Sequence, residues 1–440
     1  MSYDREQERV VVTGMGIVCP LGHDVPSFWD SLMNNNSGAD YTTLFDASTF
    51  PTKFSAEVKG YRLSDFIEKP CLHEHANRGS AFVLGAAAQA CKQAKIDIET
   101  DQPDDRIERT RMGIYLGAGE GSVENEAFFE ALVNGWNNER GEMDWSRWTR
   151  TANAKMTAMR ELEQEPNMPA GHIAILTGAR GPSRSCLTAC AASTQAVGEA
   201  AMMMRRGDAD IMIAGGAHSM IHPLGITGFN LLTALSTRNN SPRTASRPFT
   251  ASRDGFVIGE GAAVVILESL DSAKRRNVPI LAEIIGYGSS SDAFRITDMH
   301  EDARGAIQAI SASIEDAAIS CEDIDYINTH GTSTTENDSI ETKAVKAVFK
   351  EHAKNIPLSS TKSLLGHLIG AAGAAELITC ILAIQNNIIP PTANLNDPDP
   401  ELDLDYVPNV PRKAEVNIAM NESFGFGGQN NVIIVKRYSD

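Results

Sequence analysis

Cys190 stands in the segment SCLTACAASTQAVGEAAMMMRRGDAD. A run with helical spacing follows it at once, and Gly207 supplies a C-terminal stop. A cysteine at a helix N-terminus faces unpaired N–H groups and the positive end of the helix dipole. Both favour the thiolate, the nucleophilic form. Ala191, Ala192 and Ser193 leave room for a substrate to approach. The alternative is a packed thiol, because free cysteine often behaves as a small buried hydrophobe. His330, in IDYINTHGTSTTENDSIETKAV, follows an apolar strand and precedes a turn of Gly, Thr and Ser and then a helix. Strand C-terminal ends are where α/β proteins carry their sites. Thr332 and Thr334 offer hydroxyls to a polar ligand, and Asp338 and Glu341 share one helix face. A capping turn with a structural histidine fits these residues equally well.

Two further segments carry candidate chemistry. In PLSSTKSLLGHLIGAAGAAELITCILAI, Lys362 and His367 precede a helix dense in Gly and Ala, which lets another backbone come close. Glu376 lies inside that apolar helix. A buried glutamate needs a partner, and Lys362 is the natural one, although a purely structural ion pair would satisfy the same demand. In NESFGFGGQNNVIIVK, Phe424 and Phe426 alternate among glycines. Such a turn exposes backbone N–H groups and suits an anion, but a plain hairpin reads the same way. The GMG and GAGEG turns do not complete a dinucleotide fingerprint, and no Walker A sequence occurs. His218 and His222 are four apart, but Pro223 follows and no third ligand is evident, so no metal site is expected. His73 and His75, two apart in CLHEH, are expected to face solvent.

The elements that must position these residues alternate along the chain. Strands are expected over 10–13, 112–116, 211–214, 262–267, 282–286, 325–328, 416–420 and 431–436. Helices are expected over 78–95, 191–206, 303–317, 338–349 and 370–385. That alternation predicts a layered α/β fold. A loose two-fold likeness joins LTACAASTQAVGEA to STKSLLGHLIGAAGAAE, with a boundary near 271–281, where charge and proline interrupt. Residues 133–168, rich in Trp, Asn, Glu and Arg, read as a partly helical surface excursion. The 440 residues carry a net charge of −18, which argues against a nucleic-acid partner. The apolar runs are too short to cross a bilayer, and MSYDREQERV has no signal core, so a cytoplasmic location is expected. Seven widely spaced cysteines without a CxxC predict reduced thiols.

TACAAS, NTHGTST, STKSLLGHLIGAAGAAE and SFGFGG occur in this order, with VVVTGMGIVCPLG, ALSTRNNSPRTASRPF and RDGFVIGEGAAVVILE between and before them. Together they resemble the beta-ketoacyl-acyl-carrier-protein synthases, nearest to type II, over about residues 9–437. The resemblance implies a thiolase fold with two similar halves in a five-layer αβαβα arrangement. Residues 1–271, with the excursion at 133–168, would carry the nucleophile, and 272–440 both histidines and the lysine. The implied reaction is a decarboxylative Claisen condensation of an acyl thioester with malonyl-acyl-carrier-protein. Cys190 matches the nucleophile, His330 and His367 the histidine pair and Lys362 the site lysine. Asp338, Glu341 and Glu376 match acidic residues supporting that lysine. Phe426 matches the gating phenylalanine, with Phe424 beside it. Thr297, Thr332 and Thr334 match positions that hold the phosphopantetheine arm. That arm arrives on the substrate, so no cofactor of the enzyme's own is implied. The implied partners are an acidic acyl carrier protein, for which Arg238, Arg243 and Arg247 form a candidate dock, and a second copy or a related subunit. Gln429, Arg295, Ala192 and Ser193 depart from the family pattern and put the shape of the acyl substrate in doubt. The alternative is a non-catalytic, chain-length-factor-like partner. Such partners lose the nucleophile, and here Cys190, His330, Lys362 and His367 are all present. A nucleotide-dependent oxidoreductase is disfavoured by the poor glycine patterns.

Overall fold

Ten strands form one continuous sheet in the computed structural model, which describes residues 8–100, 104–119 and 124–439. The first half holds β1 (Val10–Val18), β2 (Met112–Ala118), β3 (Ser183–Cys186), β4 (Ile211–His218) and β5 (Gly261–Ser269), in the order β1-β5-β4-β2-β3. The second holds β6 (Ala282–Ser291), β7 (Tyr326–Asn328), β8 (Leu358–Ser359), β9 (Ile418–Gly425) and β10 (Gln429–Lys436), in the order β6-β10-β9-β7-β8. In each half the two pairings nearest the centre are antiparallel and the two outer ones parallel. The halves therefore repeat one topology. They meet where Val10–Val12 pair with Ala282–Ile284. Strands β1, β2, β4 and β5 are buried along their whole length, as continuous apolar runs require.

Five long helices complete the layers. Helix α1 (Arg78–Gln93) covers the outer face of the first half against β1 and β5. Helix α2 (Ala192–Arg205) lies in the central layer. Helices α3 (Arg304–Ala317) and α4 (Thr335–Phe349) cover the second half, α3 directly on β6 and β10. Helix α5 (Ala372–Asn386) joins α2 in the centre, and both touch strands of each half. The result is the αβαβα order. The stretch Ile369–Asn386 is long and apolar enough to cross a membrane, with mean hydropathy 1.4, contrary to the reading that all apolar runs are too short. It is 89 % buried within the protein and is a core helix.

The 133–168 excursion is built from the helices Asn125–Gly135, Trp145–Lys155 and Ala158–Leu162 and the ribbon Trp136–Asn137/Glu142–Met143. Trp145 is exposed at its edge. Glu163 is not at the surface: it is buried and meets His172 Nε2 at 2.9 Å. The other nitrogen of His172 meets His73 Nδ1 at 2.8 Å. The expectation that His73 faces solvent is thus wrong, because this Glu–His–His chain gives its ring partners inside; His75, beside Glu74, is half-exposed. The GAGEG turn continues past Gly119 outside the described residues.

Candidate active site

Cys190 sits in a tight turn between β3 and α2. Ala189 takes a left-handed φ of +47°, a 3-10 turn spans Ala189–Ala191, and α2 begins at Ala192. The second half repeats this elbow. Ile369 has φ +47°, a 3-10 turn spans Ile369–Ala371, and α5 begins at Ala372. The two elbows pack together, and Gly373 makes this possible: a Cβ there would lie 1.8 Å from Thr194 Oγ1.

His330 follows β7. Its backbone N–H donates to Glu341 (2.5 Å), and the next N–H, of Gly331, donates to the other oxygen of Glu341 (2.7 Å). The backbone N–H of His367 donates to the carbonyl of Val257 (2.7 Å). The three side chains converge. Sγ of Cys190 and ring nitrogens of His330 and His367 lie within 4.8 Å of one another, and all three residues are buried. Among the described residues this is the cluster whose donor atoms are close enough to share a metal ion. The same spacing also admits a reacting carbon between sulfur and imidazoles. The rings of His330 and His367 meet edge-on at 5.5 Å, and Phe424 closes on His330 at 5.9 Å.

Hydrogen bonds select the tautomers. Nδ1 of His367 accepts from the Ile369 N–H (3.2 Å), so the proton sits on Nε2, which has no partner among the described residues. Nδ1 of His330 faces Lys362 Nζ at 3.5 Å, which leaves the proton on its Nε2 as well. Burial, the Lys362 charge and a neighbouring histidine hold both imidazoles well below their usual range, so both are neutral. Lys362 is buried, donates to the carbonyl of His330 (2.6 Å) and pairs with Glu376.

Asp338 and Glu341 were expected to support Lys362, but neither hydrogen-bonds to it. Asp338 accepts from the N–H groups of Phe249 (2.9 Å) and Ser333 (3.2 Å), and Glu341 from those of His330 and Gly331. The two carboxyls shape the loop that carries His330, and only Glu376 touches the ammonium.

Burial pushes the Cys190 thiol up to about 12, against the pull of Lys362 and of the Phe426 and Cys190 N–H groups. Desolvation thus opposes the thiolate that the helix end favours. Alkylation of Cys190 by iodoacetamide should consequently rise about tenfold per pH unit from roughly pH 6 to 9. A plateau near neutrality would contradict this assignment.

A cavity of ≈ 300 Å³ is lined by the three residues together with Thr297, Thr332 and Thr334. The Thr332 and Thr334 hydroxyls bond each other (2.9 Å), and Thr334 also caps α4, so the capping role is real too. Phe426 packs beside Cys190, in a turn whose Gly427 and Gly428 have φ +88° and +76°. Arg238 is bound to Asp254 (3.2 Å), and Arg247 to the Thr244 carbonyl (2.6 Å). Arg243 is 74 % exposed, with Asp40 at 3.6 Å. Glu422 was not singled out from the sequence, yet it is buried beside Glu341; an acid inside the apolar strand IAMNESFG was the available signal.

The description "Beta-ketoacyl synthase, N-terminal domain" matches residues 7–273, and "Beta-ketoacyl synthase, C-terminal domain" matches 281–396. The chain belongs to the beta-ketoacyl synthase family. A 3-oxoacyl-[acyl-carrier-protein] synthase 2 of Coxiella burnetii is 40 % identical over 437 residues, covering 99 % of this synthase and all of that protein. One from Staphylococcus aureus is 39 % identical over 433 residues, covering 98 % and 99 %. Among solved structures, a chain from a complex of a type II PKS acyl-carrier protein with its ketosynthase bound to the hexaketide superimposes with TM-score 0.86. It is 31 % identical and covers 99 % of this synthase and 100 % of that chain.

Proposed function

We propose that this beta-ketoacyl synthase condenses an acyl thioester with malonyl-acyl-carrier-protein, releasing carbon dioxide and 3-oxoacyl-acyl-carrier-protein, in fatty-acid or related lipid or polyketide synthesis. The observation that carries the reading is the meeting of Cys190, His330 and His367 in the lining of one cavity. Sγ of Cys190 attacks the acyl carbonyl, and the carrier's thiol leaves with a proton. The bond to the malonyl carboxylate then breaks, carbon dioxide departs, and the electron pair becomes an enolate whose oxygen accepts from Nε2–H of His330 and of His367. The enolate carbon attacks the Cys190 thioester. The oxyanion so formed accepts from the N–H groups of Cys190 and Phe426, which already face the sulfur, and its collapse expels the Cys190 thiolate, which takes one proton from water to return to the thiol. Lys362, held by Glu376, fixes the tautomer of His330. Thr297, Thr332 and Thr334 take the phosphopantetheine arm, which comes with the substrate, so no cofactor of the enzyme is required. Phe424 and Phe426 border the acyl route. Asp338 and Glu341 position the His330 loop.

The repeated strand order supports a division at 271/272 into a nucleophile half and a histidine half. The outer edge of β3, which pairs only with β2 among the described residues, is a template for a second copy, and we propose a homodimer in the cytoplasm. The intact nucleophile disfavours a chain-length-factor role. Supplying acyl- and malonyl-carrier proteins together should give carbon dioxide and 3-oxoacyl-carrier in equal amounts. Acyl exchange without carbon dioxide would overturn the proposal.

An acidic carrier needs a cationic landing point, and Arg243 is the most available of the three arginines. Arg243→Glu should raise the KM for acyl carrier protein several-fold and leave turnover at saturation nearly unchanged. An unchanged KM would remove Arg243 from the dock.

A further inference from the structure

Glu422 lies in β9, fully buried, on the same side of the strand as Phe424. Neither of its carboxyl oxygens has an N–H or hydroxyl donor among the described residues. What stands beside it is the carboxyl of Glu341. A buried carboxylate without a donor is strongly disfavoured, and two neighbouring buried carboxylates oppose each other's ionisation. Sharing one proton resolves both conflicts. Glu341 is the anion of the pair, because its oxygens already accept from His330 N (2.5 Å), Gly331 N (2.7 Å) and Asn337 Nδ2 (3.2 Å). Glu422 has no such donors, so it keeps the proton and donates it.

We propose that Glu422 is a positioning residue: a neutral carboxylic acid whose O–H fixes the Glu341 carboxylate and, through it, the backbone that carries His330. The functional half of this statement rests on the catalytic reading of His330. The surroundings agree with the assignment. Asp338, on α4 with Glu341, adds negative charge and is itself 3.8 Å from Arg253. Burial pushes Glu341 up to about 7, against the pull of the Gly331 N–H, the Glu422 carboxyl and Lys362 toward ionisation, and His330 is neutral. Burial and the Glu341 charge both hold Glu422 well above the usual carboxyl range.

The sign of the pH effect follows. The folded protein keeps a proton on Glu422 that an unfolded glutamate loses above about pH 4.3. Stability from this residue is therefore fully present at low pH and falls as pH rises toward its folded titration. Glu422→Gln supplies the same donor from an amide that does not ionise. The Tm of this variant minus that of the parent should climb by several degrees between pH 5 and pH 9. A difference that stays flat would overturn the shared proton. Glu422→Leu, which lacks the donor, should lower the turnover of malonyl decarboxylation by roughly tenfold or more with little change in KM, and the Gln variant should restore most of it. Equal losses in the Leu and Gln variants would overturn positioning through the O–H. If the leucine variant does not fold, the Tm series of the glutamine variant still decides the proton. Acylation of Cys190 in the parent protein separates the two ideas: its absence would defeat the catalytic reading, while the Tm trend would stand by itself.

Discussion

Substituting alanine for Cys190 should abolish the acyl-enzyme and lower condensation by about 10⁵- to 10⁶-fold, the scale set by loss of a covalent nucleophile. The acyl chain has to be stored while one carrier leaves and another arrives, and among the described residues Cys190 is the thiol that lines the cavity with the two histidines. Cys186 is the next sulfur along the chain, but it donates to the Ala192 carbonyl (3.3 Å) and does not line the cavity. The variant should fold, since alanine removes one buried sulfur from a cluster that includes Ile221, Phe256 and Ile369. Product formation at saturating carriers checks the prediction. Condensation within tenfold of the parent would return Cys190 to the status of a packed thiol.

His367→Ala should slow malonyl decarboxylation by about 10²- to 10³-fold while acyl transfer to Cys190 continues. The asymmetry arises because Nε2–H of His367 is aimed at charge that develops only after the carboxylate leaves. His367→Asn, which keeps a donor, should lose less. Since both imidazoles are held well below their usual range, the decarboxylation rate should stay level between pH 6 and pH 8. A fall in rate as pH rises through the ordinary histidine range would mean that an imidazolium takes part. A variant that fails at acylation instead would assign His367 to the first half-reaction.

Much of this site was legible along the chain. Apolar runs located β1, β2, β4, β5, β6, β7, β9 and β10, because strands buried on both faces must be continuously apolar. Strand β3 escaped notice because Ser183–Cys186 carries an Arg and two Ser at a sheet edge, and β8 because two residues hold no period. The Lys362–Glu376 pair followed from the cost of burying either charge alone. The same cost applies to Glu422, an acid inside Ile418–Gly425 whose partner, Glu341, lies 81 positions away along the chain. Helix spacing showed that Asp338 and Glu341 share a face, but not that this face meets the backbone N–H groups of Phe249, Ser333, His330 and Gly331. The Glu163–His172–His73 chain joins residues up to 99 positions apart, and no local pattern announces it. The upward push on the Cys190 thiol comes from desolvation, which only the packed environment reveals.

Peptide mapping of the chain after incubation with an acyl carrier protein bears most directly on whether Cys190, His330 and His367 act as one apparatus. The acyl mass should sit on the peptide containing Cys190 in the parent and in His367→Ala, and malonyl-carrier should discharge it about 10²- to 10³-fold faster from the parent. An acyl group on any other peptide, or discharge that proceeds equally without the imidazole, would contradict the account.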